Sequence, residues 1–295
     1  MERPWLKPDS TTPPRIWWPI VLMTTLNLLD YFDRYIVAAV SSLVQAELQL
    51  SEKAYGFLGS AFFLVYLATA PLFGFLGDRY GRRPFLAGGA ALWSVATSLA
   101  AWVKSYPALL AARGLVGVGE ASFGTLAPAY LADLLPLASR GRVLGLFYAT
   151  IPLGAALAYY LGGKVGAAWG WRAAFLLAGL PGLVLAALIW TLPPSAPAPG
   201  LQPAQWSKIL ELLRIPTFLR VTVGYGFLTF ALGGLAFWMP RFLEQTKGIS
   251  LKDANLIIAG ATTLAGTLGT LSGGLVGDWL FRYNRRAHLL VSGVG

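Results

Sequence analysis

Five ionisable side chains interrupt two long apolar stretches of the sequence. In the first stretch they are Asp30, Asp33 and Arg34, and in the second they are Arg113 and Glu120. A charged group in the interior of a membrane is costly and is retained mainly on substrate pathways and proton relays. We therefore predict that these residues form a site that binds a substrate and moves a proton.

Helical spacing brings members of each set to one face. Asp30 and Arg34 are four residues apart, and Arg113 and Glu120 are seven apart, so that both of the latter could face one central cavity. A carboxylate whose arginine is taken over by an anionic substrate can accept a proton in exchange. The alternative is that the charges only tie the two helices together, which the position of Asp33 and Arg34 near the outer end of the first span favours.

The helices that must position these residues are predicted from eight apolar runs. The runs cover about 16–44, 55–77, 85–103, 107–133, 142–163, 171–192, 218–240 and 254–276. A helix of about 20 residues crosses a hydrocarbon core of roughly 30 Å. The chain is 56% apolar and 12% charged, whereas soluble domains are about 25% charged. The sequence thus predicts an all-α integral membrane protein.

A proline-rich segment, PPSAPAPGLQPAQWSKILELLR, separates the sixth and seventh runs. We predict a mobile cytoplasmic tail (1–15), an N-terminal six-helix bundle (16–192), a cytoplasmic linker with a short amphipathic helix (193–216), and the start of a second bundle (217–295). The final run, AHLLVSGVG, covers only about 14 Å as a helix. This length indicates a C-terminally truncated sequence that holds the first two to three helices of the second bundle.

A short charged turn, GDRYGRRP, joins the second and third runs, and a weaker copy, GDWLFRYNRR, follows the eighth run. Such a repeat is typical of transporters. The turn either sets orientation alone or forms a gate in which Asp78 pairs with Arg140 and Arg142. The predicted gate residues are Gly77, Asp78, Arg79, Gly81, Arg82, Arg83, Arg140 and Arg142, with Gly277, Asp278, Arg285 and Arg286 in the second copy.

The distribution of basic residues predicts the orientation. Of the 23 Lys and Arg residues, 14 fall on one side of the predicted topology, seven fall on the other, and Arg34 and Arg113 lie within spans. The positive-inside bias places the N-terminus and both charged turns in the cytoplasm, with the protein in the cell's inner or plasma membrane. Because the basic residues lie in short loops, the net charge of +10 indicates topology and not a nucleic-acid partner.

Small residues and absent residue types complete the pattern. Pro152 and Gly154 predict a kink or close contact in the fifth span, and Gly269 and Gly273 predict a packing face in the eighth. The chain has no cysteine and one histidine, His288, so it offers no disulfide and no reactive or metal-binding constellation. We predict that it is not an enzyme and that it uses no metal or cofactor.

The motif GDRYGRR between the second and third spans resembles the signature of the major facilitator superfamily. The stretches YFDRYIVAAV, RGLVGVGEASFGTLAPAYLADLL, SRGRVLGLFYATIPLGAALAYYLGG, GWRAAF and LAFWMPRFL resemble the spinster family, a branch of that superfamily. The resemblance implies the major facilitator fold and a proton and substrate site at Asp33, Arg34 and Glu120. The chain departs from the family at Asp30, where an asparagine is common, so the charge preference for the substrate cannot be transferred.

The resemblance also implies a function. It is that of a monomeric secondary active transporter, proton-coupled and working by alternating access, which moves an amphiphile such as a lysophospholipid or a sphingoid lipid among membrane lipids. Glu120 is the candidate proton carrier, and Arg34 is the candidate contact for an anion or a head group. The alternatives are a small organic anion symporter of the same superfamily and a non-coupled lipid scramblase or membrane scaffold.

Overall fold

The structure is a computed structural model that describes residues 16–194, 211–281, 283–284 and 290–291. Within these ranges the chain is helical and contains no strand. Each of the eight predicted runs falls on helical structure, although the first run, 16–44, crosses a break at Val40 and extends into a second, short helix. The predicted N-terminal tail, residues 195–210 of the linker, and Arg285 and Arg286 of the second charged turn lie outside the described residues.

The described α-helices are numbered in chain order. They are α1 (Trp17–Ala39), α2 (Ser41–Leu48), α3 (Glu52–Tyr80), α4 (Arg82–Ala100), α5 (Tyr106–Leu134), α6 (Leu137–Leu157), α7 (Gly163–Trp169), α8 (Trp171–Leu188), α9 (Pro216–Lys247) and α10 (Leu251–Phe281). A π-helical turn, Ala158–Gly162, makes α6 and α7 one continuous rod. By length and composition, four described segments are long and apolar enough to cross a membrane, namely Glu52–Tyr80, Ser139–Trp169, Trp171–Thr191 and Pro216–Lys247.

Local sequence signals fix the ends of α3. The Ser51 hydroxyl accepts a hydrogen bond from the Ala54 amide at 3.2 Å, which caps the first turn. Gly81 ends the helix with a φ of 87°, a conformation that side chains disfavour. One glycine therefore reverses the chain between α3 and α4, and it holds the charged turn at one end of the molecule. We call this end, which carries residues 78–83, the motif end, and the opposite end, which carries α2, the far end.

Helices α1, α3, α4, α5, α6 and α8 pack together, with α4 and α5 in especially close contact. A Cβ atom built on Gly119 of α5 would lie 2.6 Å from both the Gly89 carbonyl oxygen and the Trp93 amide nitrogen of α4. Only glycine allows two helix backbones to approach this closely. This close approach fixes the position of α5, and with it the position of Glu120, against α4.

Two apolar clusters fill the six-helix bundle. The cluster towards the motif end includes Leu26, Trp93 and Phe123, and the cluster towards the far end includes Ile36 and Trp171. All these side chains are buried. In sequence, the charged residues of α1 lie among members of the far-end cluster, whereas Glu120 lies among members of the motif-end cluster, so apolar packing surrounds them.

Helices α9 and α10 join this bundle at the far end. Arg241 pairs with Glu52 (Nη2–Oε1, 2.6 Å), and Asn255 Nδ2 donates to the Ala39 carbonyl oxygen at 2.7 Å. The Ser42 hydroxyl also donates to Glu244. Towards the motif end, the first half of α9 is exposed, with Phe230 83% accessible. The described polar contacts of α9 and α10 with the first bundle therefore lie at the far end.

Candidate functional site

The five predicted site residues lie on α1 and α5, and all are buried or nearly so. Asp33 and Glu120 are fully inaccessible, whereas 13% of the Arg34 side chain is exposed. They separate into two groups. We call Asp30, Arg34 and Glu120 the Arg34 cluster, and Asp33, Thr97 and Arg113 the Arg113 cluster.

In the Arg34 cluster, one guanidinium holds two carboxylates. Arg34 Nη2 donates to Asp30 Oδ2 at 2.9 Å and to Glu120 Oε2 at 2.8 Å. Arg34 Nε donates to the same Glu120 oxygen at 3.0 Å. The Asp30 contact follows from the four-residue helical spacing, whereas the Glu120 contact joins α1 to α5. The predicted tie between the first and fourth spans is thus an ion pair between Arg34 and Glu120.

Aromatic rings cover the Arg34 guanidinium. Its central carbon lies 4.4 Å from the centroid of the Tyr31 ring, 5.4 Å from that of Phe62 and 5.5 Å from that of Tyr66. Rings at these distances attract a cation through their π-electron faces, more strongly where water is excluded. The rings stabilise the arginine through their faces, while Arg34 Nε and Nη2 donate to the two carboxylates.

In the Arg113 cluster, Asp33 has a different set of partners. The Thr97 hydroxyl of α4 donates to Asp33 Oδ2 at 2.5 Å, and Arg113 Nη1 lies 3.9 Å from Asp33 Oδ1. The Arg113 guanidinium carbon lies 4.9 Å from the centroid of the Phe62 ring. Phe62 therefore contacts both arginines.

The clusters divide the predicted site in a way that the spacing did not predict. Asp33 and Arg34 are adjacent in sequence, and adjacent helix residues point in directions about 100° apart. Arg34 consequently reaches Glu120, while Asp33 reaches α4 and Arg113. Arg113 and Glu120, expected to face one cavity, bind different partners.

Several buried polar atoms in the clusters have no hydrogen-bond partner among the described residues. They are Asp30 Oδ1, Asp33 Oδ1, Glu120 Oε1, and Arg113 Nε and Nη1. Buried polar groups are normally paired, and exceptions often mark a functional role. The site also contains three acids and two bases, so it carries one excess negative charge if every group is ionised.

Sequence reasoning missed Phe62, Tyr66 and Thr97. Phe62 and Tyr66 are four residues apart on α3 and approach Arg34 together. Aromatic and hydroxyl residues are common in apolar helices, so neither type stood out in the sequence. A search for ring faces at helical spacing near the intramembrane charges could have found the pair on α3.

At the motif end, the prediction that Asp78 pairs with Arg140 and Arg142 is wrong. Asp78 Oδ1 accepts a hydrogen bond from Arg82 Nη2 at 2.9 Å, four residues further along the chain. Arg82 also contacts Asp133 and the Ala129 carbonyl oxygen of α5. Arg140 Nε instead donates to the carbonyl oxygen of Leu135 at 2.9 Å, and Arg142 is exposed. Arg82 is the first residue of α4, directly after the reversal at Gly81, and it therefore lies next to Asp78 in the last turn of α3.

The other predicted gate residues lie close to this contact. Arg83 Nη1 donates to the Leu192 carbonyl oxygen at 2.8 Å, which ties α4 to the end of α8. The Arg79 guanidinium lies 5.5 Å from the Tyr80 ring centroid. Gly77 is buried, and a Cβ atom there would meet Leu126. The charged turn thus fastens α3, α4, α5 and α8 together.

The second copy of the turn is described only in part. Gly277 is buried in the last turns of α10. The side chain of Asp278, and all of Arg285 and Arg286, lie outside the described residues. Their predicted role as a second gate stays a prediction.

The predicted packing residues differ in their surroundings. Gly154 faces α1, where a Cβ atom would meet the Leu28 carbonyl oxygen and Tyr31. Pro152 lies within α6 and meets Gly266 of α10. No described atom lies within 4 Å of a Cβ atom built on Gly269 or Gly273. The predicted packing partner of those two glycines is therefore not among the described residues.

A groove of about 420 Å³ lies on the surface of α3 and α5, away from the Arg34 cluster. Its lining is Leu67, Ala70, Pro71, Gly74, Phe75, Asp78 and Thr125. The lining is almost entirely apolar and ends at the carboxylate of the charged turn. Over the described ranges, no group of three or more His, Asp or Glu side chains is arranged to hold a metal ion.

Comparison with known proteins identifies the family. The sequence profile of the Major Facilitator Superfamily matches residues 23–295. The chain is 35% identical to protein spinster homolog 1 of Rattus norvegicus, over 94% of this chain and 57% of the relative. It is 32% identical to the sphingosine-1-phosphate transporter SPNS2 of Xenopus tropicalis, over 93% of this chain and 57% of the relative. The predicted resemblance to the spinster branch is confirmed.

The fold agrees with this finding. A crystal structure of a bacterial homolog of the human lysosomal transporter spinster, inward-facing and unoccupied, superposes with a TM-score of 0.76 and 23% identity. The alignment covers 92% of this chain and 64% of the bacterial protein. The predicted all-α major facilitator fold is confirmed, and the chain spans 57% of the length of the two relatives.

Proposed function

The chain belongs to the major facilitator superfamily, and from that premise we propose that it is a secondary active transporter, coupled to protons, for an amphiphilic anion. The single observation that carries the proposal is the Arg34 guanidinium held between Asp30 and Glu120 in apolar surroundings. An arginine of this kind can change partners, because a phosphate or carboxylate binds its planar donors as well as a side-chain carboxylate does.

The exchange of partners supplies the coupling. When a substrate anion takes the Arg34 donors, the Glu120 carboxylate loses the cation that compensates its charge. A buried carboxylate without a partner is costly, so a proton from the aqueous side neutralises it. Substrate binding and proton uptake then depend on each other, and the reverse exchange releases both.

The surroundings of Arg34 support a substrate with an apolar part. Tyr31, Phe62 and Tyr66 surround the guanidinium, and a separate apolar groove lies on the surface of α3 and α5. The frog relative is named as a sphingosine-1-phosphate transporter. We propose a lysophospholipid or a phosphorylated sphingoid lipid, whose phosphate would bind Arg34 while its chain lies on apolar surface.

Contacts at the two ends support alternating access as the mode of movement. The pairs Arg241–Glu52 and Asn255–Ala39 hold α9 and α10 against the first bundle at the far end, whereas the first half of α9, towards the motif end, is exposed. The bias of basic residues towards the motif end supports placing that end in the cytoplasm. On this basis we propose an inward-open state of a monomer in the inner or plasma membrane.

Flux into proteoliposomes tests the proposal. The full-length protein is reconstituted, and uptake of labelled lysophospholipid and of labelled sphingosine-1-phosphate is measured with and without an imposed pH gradient. We expect the gradient to drive accumulation, and Glu120→Gln to abolish that drive. Asp253→Asn, which changes an exposed carboxylate of α10, is the matched control and should behave as the wild type. Flux that ignores both the gradient and Glu120 would contradict the proposal and favour a lipid scramblase.

A further inference from the structure

The Arg34 cluster contains one more acid than its arginine can neutralise. We propose that Asp30 and Glu120 share one exchangeable proton in the resting protein, and that Asp30 is the residue that makes this proton necessary. The inference rests on the proposed transport function only for its consequence in the transport cycle. The proton itself is a property of the folded protein.

The geometry brings both carboxylates to one nitrogen. Asp30 Oδ2 and Glu120 Oε2 lie 2.9 Å and 2.8 Å from Arg34 Nη2. Two carboxylates this close to each other repel when both are ionised, so the pair favours the state with a single proton. The second oxygens, Asp30 Oδ1 and Glu120 Oε1, are buried and have no partner among the described residues. Either oxygen can carry the proton without breaking a hydrogen bond to Arg34.

Among the residues that the structure describes, no other charge near the pair removes the imbalance. Asp33 and Arg113, the neighbouring ions on α1 and α5, face each other and compensate one another. Tyr31, Tyr35 and Tyr66 contribute neutral phenol rings. Helices α6 and α8 also pack on α1, but Arg140 donates to Leu135 at the motif end, Arg142 is exposed, and Arg172 pairs with Glu47 at the far end.

A proton is the smallest change that restores neutrality. One guanidinium compensates one carboxylate, and a second buried carboxylate would remain as an isolated anion, which apolar surroundings do not tolerate. With Asn at position 30, Arg34 and Glu120 would form a neutral pair without a proton. Asp30 therefore determines the charge of the site before the substrate arrives.

The shared proton affects the number of protons that the transporter moves for each substrate. If the shared proton travels with the substrate, the wild-type protein moves one proton more per substrate than Asp30→Asn does. Asp30 would in this way set the number of protons per cycle, while Arg34 holds the substrate anion.

Infrared spectroscopy tests the proton directly, without a substrate. In the purified full-length protein at neutral pH, we expect the carbonyl stretch of one protonated carboxyl group. Asp30→Asn and Glu120→Gln should each lose this band. Asp30→Glu should keep it, and so should the control Asp253→Asn. Thermal unfolding of each variant checks that a lost band reflects the missing acid in a folded protein.

Three results would overturn the inference. They are a wild-type protein without the band at neutral pH, a band that persists in Asp30→Asn, and a band that disappears when sodium ions are added at constant pH, since the last would mean that sodium occupies the site. The flux experiment separates this inference from the proposed function. A band that behaves as expected in a protein whose flux ignores the pH gradient would leave the shared proton standing and reject proton coupling.

The number of protons is measured as the substrate gradient that stops net flux against a fixed pH gradient. We expect the value for Asp30→Asn to correspond to one proton fewer than that for the wild type. Equal values in two proteins that are both driven by the gradient would contradict the role of Asp30 in the cycle.

Discussion

The two ionic clusters of the first bundle are built from the same residue types but differ in balance. In the Arg113 cluster, one acid meets one base and one hydroxyl, and both ions are at least 98% buried. In the Arg34 cluster, two acids meet one base that is 13% exposed. The first cluster is compensated and closed, whereas the second has an excess charge and an open side.

This difference separates a structural role from a functional one. A compensated, enclosed ion pair gains nothing by exchanging partners, because every exchange would leave a buried charge alone. An arginine shared by two acids can release one of them and still remain paired. We therefore assign the holding of α1, α4 and α5 to the Arg113 cluster and the exchange of partners to the Arg34 cluster.

The largest expected effect on stability comes from breaking the compensated cluster. Asp33→Asn leaves Arg113 buried without an anion and should lower the free energy of unfolding by about 3–5 kcal/mol. Unfolding in mixed detergent micelles measures the loss. Asp30→Asn is the matched variant, and it should cost only about 1 kcal/mol because Arg34 keeps Glu120.

A second variant identifies the cause of that loss. Asp33→Asn combined with Arg113→Met removes the unpaired cation and should recover most of the stability. Equal costs for Asp33→Asn and Asp30→Asn would remove the distinction between the clusters.

A smaller effect comes from the helix contact that both clusters need. Gly119→Ala would place a methyl group against the backbone of α4 at Gly89 and Trp93 and should cost about 1–3 kcal/mol by overpacking. The displacement of α5 should also weaken the hydrogen bonds from Arg34 to Glu120, which follows Gly119 in the sequence. Gly88→Ala, which meets no described atom within 4 Å, is the control and should be neutral in the same unfolding experiment. A loss in the control alone would refute the close-approach argument.

The smallest expected effect on stability comes from an exposed ion pair at the far end. Its contribution can be compared with those of the buried pairs. Glu47 accepts hydrogen bonds from Arg172 Nη1 at 2.5 Å and from Trp171 Nε1 at 2.7 Å. The hydrogen bond from Arg172, followed by the one from Trp171, lowers the pKa of the Glu47 carboxyl below its ordinary value. Because the pKa is lower in the folded protein than in the unfolded chain, this pair stabilises the fold above the unfolded pKa and is lost as the pH falls through the folded one.

The contribution of Glu47 should be below about 1 kcal/mol, since water screens an exposed pair. Melting temperatures of the wild type and Glu47→Gln, recorded from neutral to acidic pH, measure it. The two curves should converge in acid. A constant difference at every pH would show that Glu47 acts through packing and not through its charge.

The sequence predicted the parts of this arrangement that depend on local spacing. The apolar runs located eight helices, and the four-residue interval located the contact between Asp30 and Arg34. The charged turn was found from its glycines and arginines, although its ionic contacts were not. Asp78 meets Arg82, which is also four residues away, but the chain reverses at Gly81 between them, so helical spacing could not predict this contact.

Contacts between distant helices could not be predicted in the same way. Arg34 pairs with Glu120, and Asp33 pairs with Thr97, because of how α1 is rotated relative to α4 and α5. That rotation is set by close contacts of α1 such as the one between Gly154 of α6 and the Leu28 carbonyl oxygen. The hydroxyl of Thr97 is one of many in apolar helices, so nothing in the sequence distinguished it. The excess acid could be counted from the sequence, but its assignment to the Arg34 cluster required the structure.

Proton uptake on substrate binding tests the central claim, the exchange of partners at Arg34, most directly. The full-length protein in weakly buffered detergent solution is mixed with a lysophospholipid or with sphingosine-1-phosphate, and a pH indicator records the protons taken up for each substrate bound. We predict uptake in the wild type and none in Glu120→Gln. Binding without uptake in the wild type, or equal uptake in Glu120→Gln, would contradict the claim that substrate and proton exchange places at the Arg34 cluster.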